Sequence, residues 1–479
     1  VATNALGLAS LVVLLGAGCA SEYSPALEPL DLPELGAGRE QPGLTFRVGS
    51  ASVALIESGR PGAAPPKRLV VDLPSALAVS GARSVEVRLA EAKTDEARQG
   101  IYSAAFSFVP TLEPGIAARA HRDLLQQTTG QFLNVTKQYE FGGIGGSADW
   151  APGSAIFAGL AASRRTDAAQ AATDTARAET AYSVASAYYG LVRARALVRI
   201  ATEALEEARE LFHNEDAREK RGAGIRADVL RAQAEVAQKE LVLTQAESEV
   251  AIASARLTAI LELDPGVELI PADDSPLLVQ LISDDVTLAQ LLAQAGAARP
   301  ELRESASLIE AAQRDHEGTK WGPLVPSVVG GFATGQLGAT FGQGEPSNDV
   351  GVSVGWKIGP GGLFDIPAIN AAAARVRQSR LHEEGLRVEI SRQVVEARAR
   401  SISAVREVAA ARNGVTFAQE GLRLSKERYL KGAGIELEVL DAQRVLTRSQ
   451  SDEVDAIVHF DQAQYGLLRA IGEPIGPAR

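Results

Sequence analysis

Two patterns of hydrophobic and polar positions recur along the chain. Val229, Val236, Leu243, Val250 and Leu257 lie seven apart, and three residues after each come Ala232, Lys239, Ala246, Ala253 and Ile260. The same register returns as Val439, Leu446, Glu453, Phe460 and Leu467, with Ala442, Ser449, Ala456, Ala463 and Ala470. A 3.5-residue repeat predicts helices wound in a left-handed supercoil. Small residues at one seam position let the helices approach closely, and the narrow seam leaves faces rich in Glu, Arg and Gln wet. That suits the wall of a tube with water on both sides, and a simple antiparallel coiled coil satisfies the heptad equally. The second pattern is alternation: Val350, Val352, Val354, Trp356 and Ile358 are separated by Gly351, Ser353, Gly355 and Lys357. A period of two predicts a strand with one apolar face and one small or polar face. Val325–Phe332 is its expected hairpin partner, with a loop over 335–349.

Proline sets the lengths. The chain has 22 prolines, yet none falls between Pro152 and Pro265 or between Pro367 and Pro474. Proline costs about 3 kcal/mol inside a helix, so each stretch predicts long helices, including one over 163–220 about 85 Å long. Between the rods the chain turns at Gly222-Ala223-Gly224-Ile225 and again at Gly432-Ala433-Gly434-Ile435. At this offset of 432 − 222 = 210, eight of the twelve positions from 222 to 233 are identical. Upstream, Arg83 to Arg88 followed by Val109-Pro110 parallels Arg299-Pro300-Glu301-Leu302-Arg303 followed by Val325-Pro326. Trp150 and Trp356 each stand just before a proline-free stretch. The chain therefore reads as two copies of one unit. The first is expected over 71–265, with a helix, a β-hairpin at about 109–157 in strand pieces 109–120 and 141–157, and a helix pair whose tip is 222–225. The second is expected over 287–479, with a hairpin at about 324–359 and a tip at 432–435, after a Pro- and Asp-rich joint at 266–286. The acidic pairs Asp273-Asp274 and Asp284-Asp285 lie near expected turns and helix starts, where capping is the ordinary role.

The first 70 residues read as an address and a tether. Leu6 to Gly18 is apolar or small, too short to span a bilayer as a helix and of the length of a signal-peptide core, so 1–18 is expected to be a signal peptide. Cys19, the chain's one cysteine, follows Leu15-Gly16-Ala17-Gly18, which resembles the lipobox of bacterial lipoproteins and makes Cys19 the expected lipidation site. Residues 19–70, with Pro25, Pro29, Pro33 and Pro42 among acids, read as an extended tether.

Composition narrows the chemistry. A length of 479 suggests about three globular domains, but aromatics are only 5% and methionine is absent, which fits thin-walled helices better than large cores. A net charge of −12 disfavours nucleic acid. One cysteine and five scattered histidines (His121, His213, His316, His382 and His459) supply neither a disulfide nor a zinc site. Gly351-Val352-Ser353-Val354-Gly355 matches a nucleophile-elbow pattern, but its serine falls inside the alternating strand rather than on a strand-to-helix turn. Gly143 to Ala148 fits a dinucleotide-binding pattern but follows a polar segment and opens no helix. No catalytic residue, cofactor or metal site is expected. A Trp-capped apolar face in an exported chain is the pattern of a transmembrane barrel strand, and four strands are too few to close a barrel alone.

Together these residues resemble the TolC-type outer-membrane efflux proteins of Gram-negative bacteria, over roughly 70–475. The carrying motifs are Lys431-Gly432-Ala433 leading to Glu438-Val439-Leu440-Asp441-Ala442, Arg221-Gly222-Ala223 leading to Asp228-Val229-Leu230-Arg231-Ala232, and Arg299-Pro300-Glu301-Leu302. A basic residue replaces the family's Val before each tip glycine, and Ala replaces its Leu after it. The resemblance implies a mainly α fold with a β-barrel portion: homotrimers in which four strands per chain form one twelve-stranded barrel in outer-membrane lipid, continued by a helical tunnel through the periplasm. It implies a passive duct serving a periplasmic adaptor and, indirectly, an inner-membrane pump. Gly222, Ala223, Gly224, Gly432, Ala433 and Gly434 would be adaptor-docking tips, and Glu438, Asp441 and Asp228 would line a periplasmic gate. Val350, Val352, Val354, Trp356 and Ile358 would face lipid. The competing reading is a periplasmic coiled-coil structural or adaptor lipoprotein that never spans the membrane.

Overall fold

The computed structural model describes residues 67–476 except 110, 223, 274, 284, 341 and 342, together with the short strands at 47–48, 51–52 and 55–56. The expected signal peptide, Cys19, most of the expected tether, Ala223, Asp274 and Asp284 lie outside the described residues.

Each half follows one order of elements. In the first, strand β1 (Lys67–Val71) leads to helices α1 (Leu73–Arg83) and α2 (Val85–Phe106), then strands β2 (Thr111–Gln126) and β3 (Phe132–Trp150), then the long helices α3 (Pro152–Lys220) and α4 (Arg226–Ile260). In the second, β4 (Val267–Pro271), α5 (Leu288–Ala298) and α6 (Pro300–Trp321) lead to β5 (Ser327–Gly338) and β6 (Glu345–Gly355), then α7 (Ile366–Leu430) and α8 (Glu436–Ile471). The duplication read from the tips thus extends through the named strands and α-helices of both halves.

Helices start where the sequence offers a start. Asp72 accepts the Ser75 N–H at 2.9 Å to cap α1, and Thr287 and Gln290 form a reciprocal capping box on α5. Pro152 and Pro367 occupy the first turns of α3 and α7, where the missing N–H costs nothing. The first rod is longer than the expected 163–220: α3 has 69 residues, and α7 has 65, so each is about 100 Å long. Residues 151–157, expected as strand, are mostly the opening of α3.

The heptad seams are the buried stripes. Val229, Ala232, Val250, Ala253 and Leu257 are buried on α4, and Val439, Phe460, Leu467 and Ala470 on α8. The largest core lies part-way along the rods, where Val184, Tyr188, Tyr189 and Leu191 of α3 pack with Leu257, Leu261, Leu269 and Tyr465. Here the structure adds a feature absent from the sequence reading. β1 pairs in parallel with β4 from Lys67↔Val267 to Val71↔Pro271, tightened by the Arg68–Glu268 ion pair at 2.9 Å. The end of the expected tether and the start of the expected joint are therefore strands. The remaining joint is held by side chains: Asp461 accepts the Val279 N–H, and Gln464 accepts those of Leu281 and Ile282. Asp273 caps no helix. It accepts the Tyr188 hydroxyl at 2.8 Å, and Asp285 stands in a turn with Ser283.

The two hairpins do not stand apart. β3 of the first half pairs with β5 of the second, giving one four-stranded antiparallel sheet in the order β2-β3-β5-β6. Strands β2 and β3 run to 16 and 19 residues, beyond the expected pieces, while β5 continues to Gly338 and β6 already begins at Glu345, inside the expected loop over 335–349. Ser353 and Gly143 to Ala148 lie within strands. Among the described residues, no helix is long and apolar enough to cross a membrane.

Candidate functional site

The sheet has two unlike faces. Residues directly opposite in antiparallel pairs share a face, so the register places Leu112, Gly146, Phe332 and Val350 in one row and Trp150, Val328 and Val354 in another. The other face carries Glu113, Gly145, Ala333 and Asp349 in one row and Thr111, Ser147, Gly331 and Gly351 in the next. Phe332 lies over Gly146, where an added Cβ would run into its ring. Val350, Val352 and Val354 are 75%, 71% and 64% exposed, an apolar strip with nothing from its own chain over it. The outer edges, β2 and β6, have no strand partner among the described residues. Long unpaired edges beside an exposed apolar face are not a stable surface in water.

The expected strand over 350–358 is shorter than read. β6 stops at Gly355; Trp356 has left the ladder, and its indole N–H donates to the Leu324 carbonyl at 3.0 Å. Ile358 makes an isolated bridge to Leu363 in a turn where Gly359 and Gly361 have positive φ. Alternation alone could not show this end, because the turn continues the apolar rhythm by one residue. Trp150, Trp321 and Trp356 all stand where strands meet helices, each partly exposed, and Lys320 lies 4.5 Å over the Trp321 ring.

At the far end of the rods the two tips share one geometry. Gly222 has φ +74° and Gly432 φ +72°, the left-handed conformation that ends a helix and that glycine adopts without strain. The Gly222 N–H donates to the Glu219 carbonyl at 2.8 Å, and the Gly432 N–H to that of Tyr429 at 3.0 Å. Gly224 and Gly434 are needed for a second reason: a Cβ there would lie 2.8 Å from the Glu219 nitrogen or 3.1 Å from the Tyr429 nitrogen. The returning helices begin at Ile225 and Ile435, both extended and both exposed.

The expected gate acids do not gather as one group. Glu438 lies 3.5 Å from Arg428 across its own turn. Asp441 is exposed on the next turn, where its charge acts on Arg444. Asp228 pairs with Arg231 at 2.8 Å and acts instead on Glu436, an acid the sequence reading passed over. Glu436 is 5% exposed, and neither carboxylate oxygen has a hydrogen-bond partner. Burial, with the charges of Asp228 and Glu215 added, pushes its carboxyl up to about 7. Glu215, buried at the end of α3, is also pushed up, first by burial. One signal was available: Glu436 continues the buried stripe of Val439, Leu440 and Gln443 one turn toward the tip, the i, i+3, i+4, i+7 spacing of a core face.

Polar ties hold the two helix pairs together below the tips. Arg218 donates to the Tyr429 hydroxyl and stacks 4.8 Å over its ring. Arg444 reaches the buried Glu235 at 2.5 Å, and Arg193 grips Asp455 with two bonds of 2.6 and 3.0 Å. Higher up, the buried Arg299 donates to the Ala470 carbonyl at 2.9 Å and to Glu301 at 2.5 Å. The Arg-Pro-Glu-Leu motif therefore ties the start of α6 to the end of α8. Among the described residues, no group of three His, Cys, Asp or Glu is placed to hold a metal ion.

An internally duplicated chain whose two strand hairpins merge into one sheet above two helical hairpins defines a class of envelope protein with separate barrel and tunnel portions. A family model described as outer membrane efflux protein matches residues 79–262 and 291–473, and the chain belongs to that family, which is one of the outer membrane. The outer membrane efflux protein BepC of Brucella suis biovar 1 (strain 1330) is 28% identical over 302 residues, covering 61% of this chain. The match spans 62% of that relative's length. Among solved structures, the outer-membrane channel OprN is 20% identical with a TM-score of 0.69, over 85% of this chain and 91% of its own. The outer membrane protein VceC of Vibrio cholerae is 19% identical with a TM-score of 0.67, over 84% and 96%. The Campylobacter jejuni CmeC channel is 15% identical with a TM-score of 0.68, over 84% and 85%. These structures share the fold.

Proposed function

We propose that this chain is one third of a passive outer-membrane duct, which conducts cargo delivered through a periplasmic adaptor from an inner-membrane pump and makes or breaks no covalent bond. The observation that carries the reading is the joined sheet, with its exposed apolar face and two open edges. Three copies edge to edge would give three times four strands, a closed twelve-stranded barrel with Val350, Val352 and Val354 against lipid and the Gly- and Asp-bearing face lining water. Closure removes both edges, which a membrane requires. The Trp side chains at the strand–helix boundary suit a membrane interface.

The turns at 222–224 and 432–434 are the proposed adaptor contacts, because open space surrounds Gly222 and Gly432 and Ile225, Leu430 and Ile435 stand exposed beside them. Glu438, Asp441 and Asp228 are the proposed gate, repeated three times around the mouth. Cys19 is the proposed lipid anchor, after cleavage of a signal peptide at 1–18.

The purified protein should migrate as an SDS-resistant trimer that dissociates on boiling and should form ion-conducting steps in planar bilayers. A chain that remains monomeric, or trimers without conductance, would refute the duct. Replacing Glu438 and Asp441 with Gln and Asn should lower cation over anion preference severalfold; unchanged conductance and selectivity would remove them from the gate.

A further inference from the structure

Glu436, Glu215 and Asp228 come from three helices and meet where the two tips touch. Glu436 opens α8, Glu215 closes α3, and Asp228 lies in the first turn of α4. Glu436 and Glu215 are 5% and 2% exposed within a single chain. Both oxygens of Glu436 and Oε1 of Glu215 lack a hydrogen-bond partner. The cations facing them are already engaged. Arg231 pairs with Asp228 at 2.8 Å, and Arg218 is shared between Glu215 at 3.5 Å and the Tyr429 ring and hydroxyl. Outside this group, Arg226 faces Glu219 at 3.8 Å and Arg428 faces Glu438 at 3.5 Å. Three carboxylates thus meet two guanidiniums.

We propose that this cluster is a one-proton latch: a proton resident on Glu436 docks the start of the second returning helix against the tip of the first hairpin, and its loss undocks the two tips. With the proton in place, two negative charges face two positive ones, and the buried acid can donate to a neighbouring carboxylate. Without it, a third negative charge sits in a pocket whose two guanidiniums are already engaged by other groups, and the cheapest relief is for the first turn of α8 to move into water. Burial and the two neighbouring acids set the release at about neutral pH. A carboxyl raised in the docked state disfavours docking progressively as pH climbs from the ordinary carboxylate range toward about 7, and fully above it. The first copy cannot form the same latch, because the position equivalent to Glu436 is Arg226. Glu438, of the proposed gate, is two residues further along the turn that moves, so the latch would open the mouth. That last step rests on the duct reading; the docking does not.

Two measurements separate them. Spin labels at Ile225→Cys and Ile435→Cys, with Cys19 replaced by Ser, report tip separation by electron-spin distance measurement whether or not the protein conducts. The separation should lengthen between about pH 5.5 and about pH 8, with the undocked-to-docked ratio rising roughly tenfold. Open-state occupancy in planar bilayers should rise in parallel. Glu436→Gln, neutral and of the same shape, should stay docked and flat across this range. Glu215→Gln should keep a smaller response and shift its midpoint to lower pH, since a docked Glu436 with one fewer like charge beside it holds its proton less tightly. A wild-type distance that ignores pH, a Glu436→Gln protein that keeps the wild-type response, or an unshifted Glu215→Gln midpoint overturns the latch. A pH-dependent distance without any conductance leaves the latch standing and refutes the duct.

Discussion

Replacing Arg444 with Ala should loosen the helix pairs below the tips and reverse the sign of their pH dependence. Glu235, on α4, is 6% exposed, and Arg444 of α8 donates to it at 2.5 and 3.4 Å. Lys239, one turn along α4, is its other cation at 3.6 Å. Burial alone would push the Glu235 carboxyl up, but Arg444 and Lys239 outweigh it and hold the group below its ordinary value. Removing one partner of a buried pair costs about 3 kcal/mol or more. The Arg444 side chain is 59% exposed, so water screens part of the interaction, and about 2 kcal/mol is the reasonable expectation. Amide hydrogen exchange over 229–240 and 439–450 should then speed up about thirtyfold at neutral pH, after correction for intrinsic rates. The pH sign follows from the carboxyl. In the wild type its lowered value stabilises the docked helices above the ordinary carboxylate range, and that contribution is lost as pH falls through the folded value. In Arg444→Ala burial dominates, so the variant should gain protection on acidification. Protection within about 0.5 kcal/mol of wild type, or an unchanged pH sign, would refute the account of Glu235 as a charge held by Arg444.

Two further outcomes follow from other sites. Gly432→Ala should cost about 1 kcal/mol through its left-handed φ alone, since nothing lies within 4 Å of the added methyl; Gly434→Ala, whose Cβ would press on the Tyr429 nitrogen, should cost more, and equal exchange rates for 429–440 in the two variants would contradict this. Asp461 is fully buried with one unpartnered oxygen, and burial pushes its carboxyl up to about 7 despite the Val279 N–H. Its stability penalty grows as pH rises from the ordinary aspartate range to about 7, so Asp461→Asn should melt a few degrees above wild type at about pH 8 and level with it near pH 4; parallel melting curves would show Asp461 already ionised.

What could be read from the chain depended on how far each signal repeated. The rods were legible because proline is excluded over a hundred residues at a time and the seam recurs five times in each copy. The tips were legible because glycine is needed there twice over, for φ at 222 and 432 and for space at 224 and 434. Strand ends were less so: Trp356 and Ile358 keep the alternation of Val350–Val354 although the ladder has stopped, and in the first copy charged residues such as Arg119, Arg122 and Lys137 interrupt the alternation along the sequence. The five-residue strands β1 and β4 are too short for periodicity to register, and only their pairing across 200 residues of chain makes them strands. Glu436 was missed because a carboxylate is normally assigned to water. Its burial comes from helices 208 to 221 residues away in sequence, which no local pattern encodes.

The waist core gives the long helices a fulcrum. From Tyr188, where α3 is packed between both halves, to the turn at Gly222 is about 50 Å of uninterrupted helix. A stiff arm of that length rocked by about 5° carries its end about 4 Å, more than the reach of any of the ion pairs that join the tips. The mouth can therefore change its grip without a helix bending, unwinding or losing a backbone hydrogen bond, and the force needed is set by a handful of charges at the far end of the arm.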